Sequence, residues 1–187
     1  KAQGRCLEGA VFDGRRLGAD LAQLNPGYVK APAGIVIAAS EFSRFGMVMR
    51  TWEGRRVAMN VIWRAFVDNL TGRKSLVMGQ SLIGWLRLAM KQRDIPLWLE
   101  TPLQDLIVDE SGSCVTGIRV LRDGKPLTIN ARKGVILAAG CFAHNEDMRQ
   151  KYQKHPITAK WTVASAGNTG DAILAGMRIG APVDLME

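Results

Sequence analysis

The stretch GVILAAGCFAHNEDMRQKY at residues 134–152 decides the fold class of this 187-residue chain. Residues 134–139 are apolar on both faces, which is typical of a strand buried inside a parallel sheet. Ala138, Ala139 and Gly140 close this predicted strand with almost no side chain, so backbone there can come close to a flat ligand. Tight packing of a strand on a helix needs small residues equally, so the triplet alone leaves both interpretations open.

Two helices are predicted after this strand. Residues 144–152 should form a helix that Asn145 caps, and a last helix should run from about Thr169 to Ile179 with Asn168 or Thr169 as its cap. The start of such a helix presents free N–H groups that suit a phosphate or the electron-rich edge of a ring, although an ordinary cap uses the same residues. Small residues give the last helix a thin face for close packing: Ala172, Ala175, Gly176 and Gly180.

A helix and several short strands are predicted before residue 134. The helix at 80–93 has an apolar stripe, and Pro96 forces its end. The strands should lie at 97–100, 103–109, 115–122 and 126–131. Turn residues at Ser111-Gly112 and Asp123-Gly124 indicate that the last three strands form antiparallel hairpins. The first of the four should instead join 134–139 in a parallel sheet.

The first 78 residues have a weaker pattern. Glycine, proline and alanine dominate residues 1–40, which indicates a long surface excursion rather than regular structure. Between residues 42 and 70 the apolar side chains recur at helical spacing, and Gly54 should divide this segment into two helices.

The composition indicates a globular chain with one substantial core, because 47% of its residues are apolar and charges are spread throughout. No apolar run approaches the roughly 20 residues of a membrane span, and no leader pattern opens the sequence. Cys6, Cys114 and Cys141 form no CxxC pair, which favours a reducing compartment over a disulfide framework. We therefore expect a cytoplasmic protein. The start at Lys1 and the end at Glu187, inside an apolar segment, make us expect a piece of a longer chain.

The positive charge is concentrated in the first part of the chain. Residues 1–78 carry a net +6 and residues 79–187 a net +2. Most of the excess lies between Arg44 and Phe66, where arginines alternate with tryptophan and phenylalanine. A solvated face, or a face that meets another part of the protein, explains such an excess without nucleic acid, since no groove-reading element accompanies it. An interfacial helix on a membrane surface is a further interpretation of the same stretch.

Three stretches are similar to the two-domain flavoproteins of the fumarate reductase and 3-ketosteroid dehydrogenase family. They are GQSLIGWLRLAMKQRDIPLWLETPLQDLIVDESGSCVTGIRV at 79–120, the stretch at 134–152, and AGNTGDAILAGMRIGAPVDLME at 166–187. A shorter stretch, GRCLEGAVFDGRRLG at 4–18, is similar to the 3-ketosteroid Δ1-dehydrogenase branch.

This resemblance implies an α/β fold, namely a partial Rossmann-like FAD-binding domain with parallel strands and an antiparallel β-meander. Residues 1–78 would be a loop-rich and helical insertion of the flavoprotein, and residues 79–187 the C-terminal part of the FAD-binding domain. The GxGxxG strand that opens the family's domain and the family's cap domain do not occur in these 187 residues, which supports the expectation of a fragment.

The resemblance also implies FAD as the cofactor of the full-length protein and a set of residues beside it. Cys141 replaces the family's second glycine, and its thiol opposes a close approach of backbone to the cofactor; Ala172 replaces the last glycine of a TGDG-like segment. Leu103 matches the position whose backbone borders the adenine ring, although an ordinary strand residue explains it as well. The full set is Leu103, Ala138, Ala139, Gly140, Thr169, Gly170 and Asp171.

The reaction of the resembled steroid branch forms a carbon–carbon double bond. A hydride passes from a ring carbon to FAD while a basic group removes a proton from the neighbouring carbon, and the new double bond lies next to a ketone. Tyrosines serve as acid and base in that branch, and an arginine serves in the fumarate branch. Tyr28 and Tyr152 match no catalytic motif, so no catalytic residue is assigned. The spacing of Cys141, His144 and His155 fits no zinc pattern, so no metal site is expected.

We therefore expect a fragment of an FAD-dependent dehydrogenase of a ketosteroid-like small molecule, inactive and without FAD when taken alone. A fumarate reductase-like flavoprotein fragment and a non-catalytic binding module that keeps the half-fold are the alternatives. Nucleic acid is not expected as a partner. Self-association of the fragment is expected, since the strand 134–139 and the stripe of Trp52, Met59, Trp63 and Phe66 would both lack cover.

Overall fold

The computed structural model describes residues 9–27 and 35–184. The chain divides into two compact units, Lys1–Leu97 and Trp98–Glu187. The predicted division at residues 78 and 79 concerns the layout of the longer flavoproteins, and it stays a prediction.

The first unit is mainly helical, with one short pair of strands. Strand β1 pairs antiparallel with β2, with Phe12 opposite Leu76. In chain order the unit contains β1 (Phe12–Asp13), a 3₁₀-helix (Gly14–Gln23), α1 (Ala39–Phe45), α2 (Trp52–Thr71), β2 (Ser75–Leu76) and α3 (Met78–Lys91).

The core of the first unit lies around Phe12. Phe12 and Leu17 are fully buried, and Leu76 packs with them. The Phe12 ring meets the edge of Trp85 with 4.9 Å between ring centroids. A β-carbon at Gly84 would lie 2.8 Å from Cδ1 of Phe12, so the missing side chain lets α3 approach the ring.

The expected surface excursion over residues 1–40 is therefore wrong for residues 9–27. Polar contacts fasten the 3₁₀-helix to α3: Arg87 Nε donates to Asp20 Oδ2 at 2.7 Å, and Lys91 Nζ donates to the carbonyl oxygen of Leu17 at 3.0 Å. Many glycines and alanines surround Phe12 and Leu17 in the sequence. They indicate a loop, so the pattern does not predict that these two side chains form the core.

The helical pattern between residues 42 and 70 does contain two helices, but Gly54 does not divide them. The break falls between α1 and α2, after Gly46, and Thr51 caps α2 by accepting the Gly54 N–H at 3.0 Å. A β-carbon at Gly54 would lie 2.6 Å from the carbonyl oxygen of Met47. Gly54 thus permits a close approach of α2 to the preceding turn.

The second unit contains the predicted meander. Asp123 and Gly124 have φ values of 50° and 73°, as a two-residue hairpin turn requires. The order β3-β4-β5 is antiparallel throughout, which confirms the meander. In chain order the unit contains β3 (Leu103–Val108), β4 (Val115–Arg122), β5 (Lys125–Asn130), α4 (Glu146–Tyr152), a 3₁₀-turn (Ala159–Trp161) and α5 (Asp171–Arg178).

The two segments expected to form a parallel pair are irregular in the described structure. Residues 134–139 have no strand partner among the described residues, and Ile136 is 92% exposed. A segment that is apolar on both faces becomes a strand only where neighbours supply ladder hydrogen bonds on its sides. Residues 97–100 form no strand, and Glu100 has a φ of 50°, outside the β region.

None of the helices within the described ranges combines the length and the hydropathy that crossing a bilayer requires.

Candidate functional site

A groove in the second unit brings together two of the sequence motifs. Ala138, Ala139 and Gly140 form one wall and are exposed, and α5 with the segment after it forms the other. The groove encloses about 410 Å³. Its remaining lining residues are Leu137, Ala172, Ile173, Gly176, Met177, Ala181, Pro182, Val183 and Asp184.

Gly140 is confined to glycine by two features. Its φ of 79° lies in the left-handed region, and a β-carbon there would overlap the side-chain oxygen of Asn168. The small residue at this position therefore serves a close approach to Asn168 as well as an open wall of the groove.

The loops that carry the two motifs are joined by hydrogen bonds. The backbone N–H of His144 donates to the carbonyl oxygen of Asn168 at 2.8 Å. The side chain of Asn145 donates to the carbonyl oxygen of Thr169 at 2.9 Å. A ring nitrogen of His144, Nε2, lies 3.0 Å from the carbonyl oxygen of Ala164. These contacts fix the groove wall relative to the start of α5.

Gly170, rather than Asn168 or Thr169, is the N-cap residue of α5. Its φ is 82°, and no side chain caps the helix. A β-carbon at Gly170 would lie 2.7 Å from Sδ of Met148 and 3.0 Å from Cβ of Phe142. The predicted side-chain cap is wrong because the carbonyl groups of Asn168 and Thr169 bind the 144–145 loop and place the helix start one residue later.

Two of the small residues that form the thin face of α5 pack inside the protein, as the sequence indicates. Ala172 and Ala175 are buried, at 7% and 0% exposed. Arg178, at the other end of α5, donates from Nε to Asp105 Oδ1 at 3.1 Å and from Nη2 to the carbonyl oxygen of Gln104 at 2.8 Å. The hydrogen bond from Arg178 lowers the pKa of the Asp105 carboxyl. Helix α5 is thereby fastened to β3.

The structure gathers most of the predicted cofactor-binding residues. Ala138, Ala139 and Gly140 line the groove, and Thr169, Gly170 and Asp171 lie at the start of the helix that forms its other wall. Leu103 begins β3, is half-buried and is not among the residues that line the groove.

Several residues of the site were not predicted from sequence. Asn168 and Asn145 were interpreted only as helix caps, yet both join the two loops. Ile173 and Met177 line the groove but carry no sequence signal, since they are ordinary apolar residues of an amphipathic helix. Their role depends on which face of α5 meets residues 138–140.

Polar side chains around α4 support the loops and offer no catalytic group. The backbone N–H of Ala159 and the side chain of Gln150 hold the pKa of the Glu146 carboxyl below its usual value. Tyr152 packs its ring against Phe142, with centroids 6.4 Å apart. Tyr28 lies outside the described residues. Within 9–27 and 35–184, no three His, Cys, Asp or Glu side chains form a group that could hold a metal ion.

The groove fits a flat, uncharged ring better than a phosphate. Its walls are backbone and small or aliphatic side chains, and Asp184 is the one charged residue among those that line it. Left-handed Gly140 and exposed Ala138 and Ala139 leave the backbone open to van der Waals contact. The lining therefore permits van der Waals contact between a flat ring and residues 138–140.

Comparison with known proteins identifies similar steroid dehydrogenases. The 3-oxosteroid 1-dehydrogenase of Mycobacterium tuberculosis is 41% identical over 187 residues, covering 98% of this chain and 33% of the relative. The crystal structure of 3-ketosteroid delta1-dehydrogenase from Sterolibacterium denitrificans in complex with 1,4-androstadiene-3,17-dione matches with a TM-score of 0.84 and 32% identity, over 96% of this chain and 33% of that one.

A relative with the fumarate activity is less similar. The NADH:fumarate oxidoreductase of Klebsiella pneumoniae is 31% identical over 116 residues, covering 62% of this chain and 12% of the relative. The chain spans about a third of the length of the steroid dehydrogenases that it matches. The model of an FAD binding domain matches residues 1–187. Since that match includes every residue, the chain belongs to the family of FAD binding domains.

Proposed function

We propose that this chain forms part of the FAD site of a dehydrogenase that introduces a carbon–carbon double bond next to the ketone of a 3-ketosteroid. The observation that carries the proposal is the likeness to a steroid-bound dehydrogenase at a TM-score of 0.84, which covers 96% of the chain. The small-molecule substrate would be a steroid, and nucleic acid would not be a partner.

The residues that would hold FAD are those of the groove and of the start of α5. Ala138, Ala139 and Gly140 would contact a ring through backbone. The N–H groups at Gly170 and Asp171 would face an electron-rich edge, favoured by the partial positive charge of a helix start, and Thr169, whose own N–H donates to the Gly167 carbonyl oxygen at 3.0 Å, would adjoin them. Leu103 would border another ring of the cofactor from β3, away from the groove.

The chemistry divides between cofactor and protein. FAD, when bound, supplies the acceptor for the hydride that leaves the ring carbon. The described residues would bind and orient the ring: the hydrogen bonds from His144 and Asn145 hold the groove walls, and the apolar lining would exclude water once the groove is filled. No residue of this chain is assigned as acid or base, and we propose that those groups lie in the length of the relatives that the chain does not span.

The Rossmann-like part of the fold is likewise a proposal. Residues 134–139 are apolar, exposed at Ile136 and without a strand partner among the described residues. We expect them to be a parallel strand in the complete protein, where further strands would cover both sides.

The location that we propose is the cytoplasm, at the periphery of a membrane. The absence of a CxxC pair among three cysteines favours a reducing compartment.

The experiment compares the complete protein with two glycine variants. Gly140→Ala places a β-carbon against Asn168, whereas Gly112→Ala introduces the same left-handed strain, φ 72°, into open space. We expect flavin absorbance and Δ1-dehydrogenation of a 3-ketosteroid in the wild type and in Gly112→Ala, and loss of both in Gly140→Ala. Equal flavin content in the two variants would contradict the groove assignment.

Other outcomes distinguish the alternatives. Flavin with fumarate reduction but without steroid dehydrogenation would favour the fumarate branch. A complete protein without flavin or either activity would favour a binding module. The 187-residue chain alone should be colourless after gel filtration, because it contains no GxGxxG segment to cradle a pyrophosphate; stoichiometric flavin on that chain would overturn this expectation.

A further inference from the structure

Helix α2 buries its small residues and exposes its large ones. Gly54, Ala58, Val61 and Ala65 face the protein. Ile62, 60% exposed, adjoins an exposed set formed by Trp52, Met59, Trp63, Phe66 and Leu70, each between 57% and 76% exposed. We name this exposed set the apolar stripe.

The apolar stripe is continuous along the helix. At 3.6 residues per turn its five side chains fall within a sector of about 60°, and they extend over about 27 Å. The rings of Trp63 and Phe66 lie 5.7 Å apart. An ordinary surface helix turns its large apolar residues toward the core. The reversed arrangement marks α2 as an interaction surface.

The acidic residues around the stripe are all engaged by arginine. Residues 41–72 contain three carboxylates. Their arginine contacts are Glu41 with Arg64 at 2.8 Å, Glu53 with Arg44 at 3.1 Å and Asp68 with Arg73 at 3.8 Å. The charges that remain available near α2 are therefore positive.

Three arginines supply that positive charge at one end of the stripe. Arg50, Arg55 and Arg56 are exposed, and none forms an ion pair with a residue that the structure describes. Arg55 and Arg56 lie in the first two turns of α2, where the helix dipole adds partial positive charge. A partner must therefore be apolar along the helix and anionic at its start.

We propose that the apolar stripe lies in the interface of an anionic lipid bilayer, with Arg50, Arg55 and Arg56 on lipid phosphates. Tryptophan favours the headgroup level of a membrane, and an amphipathic helix binds there through apolar area plus attraction to anionic lipid. The carboxylates near the stripe are already paired with arginine, so the stripe of a second copy offers no free anionic group to Arg50, Arg55 and Arg56. The inference deepens the peripheral location proposed above and does not depend on FAD.

The test is vesicle binding, measured by co-sedimentation and by the blue shift of tryptophan fluorescence. Vesicles of phosphatidylcholine with phosphatidylserine are compared with phosphatidylcholine alone, at low and high salt. We expect binding of the 187-residue chain and of the complete protein to the anionic vesicles, weakened by salt. Arg55→Gln with Arg56→Gln should reduce it on the order of 30-fold, at about 1 kcal/mol for each arginine.

A stripe variant and a matched control complete the design. Trp63→Gln with Phe66→Gln should abolish the anionic-vesicle binding, whereas Trp161→Gln, at an 85% exposed site in the second unit, should leave it unchanged. If the variant with Trp63→Gln and Phe66→Gln fails to fold, the variant with Arg55→Gln and Arg56→Gln still tests the proposal.

Three outcomes would overturn the proposal. Absence of binding to anionic vesicles is the first. The second is binding by the 187-residue chain but not by the complete protein, which would mean that another part of the protein covers the stripe. The third is a lipid-free dimer that the stripe variant dissociates, without vesicle binding, which would assign the face to a second copy.

Discussion

The side chain of Asn145 makes two hydrogen bonds in opposite directions, donating to the Thr169 carbonyl oxygen at 2.9 Å and accepting from the Met148 N–H at 3.0 Å. One residue thus caps α4 and fixes the segment that leads into α5. Residues 138–140, which form one wall of the groove, lie shortly before Asn145 in the chain. The two hydrogen bonds of Asn145 therefore help to hold the groove in shape.

Replacement of Asn145 separates its two roles. Asn145→Ala removes the cap, worth about 1 kcal/mol, and the bond to Thr169, worth about 1 kcal/mol. Asn145→Asp keeps the accepting oxygen, so it should lose only about 1 kcal/mol, partly offset by a carboxylate at a helix start. Urea unfolding measures both changes. Equal losses in the two variants would show that the cap contributes nothing.

Gly170 and Gly180 lie at the two ends of α5 with similar φ values, 82° and 90°. Alanine in this left-handed region costs roughly 1–2 kcal/mol. Gly180→Ala should lose that amount, because no atom lies within 4 Å of its β-carbon. Gly170→Ala should lose about 1–3 kcal/mol more, from overlap with Met148 and Phe142. Thermal unfolding compares them, and equal melting temperatures would contradict the close approach.

Sequence reasoning succeeded where the signal is local. Asp123-Gly124 predicts a hairpin whose backbone has the required φ values, and Asn145 predicts the start of α4 because a cap needs only its own helix. The strand at 134–139 was predicted from its apolar pattern, but a strand depends on neighbours that a pattern does not contain.

Failures of prediction occur where tertiary contacts decide. Phe12 is the centre of a core because Gly84, distant in sequence, leaves room for its ring. The groove depends on the face of α5 that meets residues 138–140, and periodicity does not distinguish a lining residue such as Ile173 from any other apolar position. Asn168 likewise looks like a cap until Gly170 is seen to begin the helix.

Two glycines of α3 should respond to alanine in opposite directions. Gly79→Ala meets no atom within 4 Å, so it should stabilise the chain by about 0.5–1 kcal/mol through helix propensity. Gly84→Ala meets the Phe12 ring at 2.8 Å, and overpacking of about 1–3 kcal/mol should exceed the same gain. Urea unfolding gives the sign of each change. Stabilisation by both substitutions would mean that Phe12 does not pack on Gly84.

Glu41 should make the first unit sensitive to acid. The hydrogen bond from Arg64 lowers the pKa of the Glu41 carboxyl below its ordinary value of 4.5. A depressed folded-state pKa contributes stability that is present above the ordinary pKa and is lost as the pH falls through the folded value. Glu41→Gln should therefore lower stability at pH 7 and flatten the loss of stability below about pH 4.5.

The matched control for this effect is Glu53→Gln. Glu53 pairs with Arg44 at 3.1 Å, but both side chains are more than half exposed, and such pairs contribute about 0–1 kcal/mol. Urea unfolding at a series of pH values measures both variants. If the free energy of unfolding of Glu41→Gln falls below pH 4.5 as steeply as that of the wild type, the role of the Glu41–Arg64 pair is contradicted.

Residues 134–139 should make the 187-residue chain associate with itself at high concentration. The segment is apolar, Ile136 is 92% exposed, and no described residue pairs with it as a strand. Such a segment is a template for pairing with another chain, and a charge within it opposes that pairing. Ile136→Asp should therefore shift the chain toward monomer in sedimentation velocity across a concentration series, whereas Val163→Asp, at an 85% exposed site, should not. A wild-type chain that stays monomeric at every concentration would show that the segment is covered without a partner, and the proposal of a parallel strand completed by other parts of the protein would lose its support.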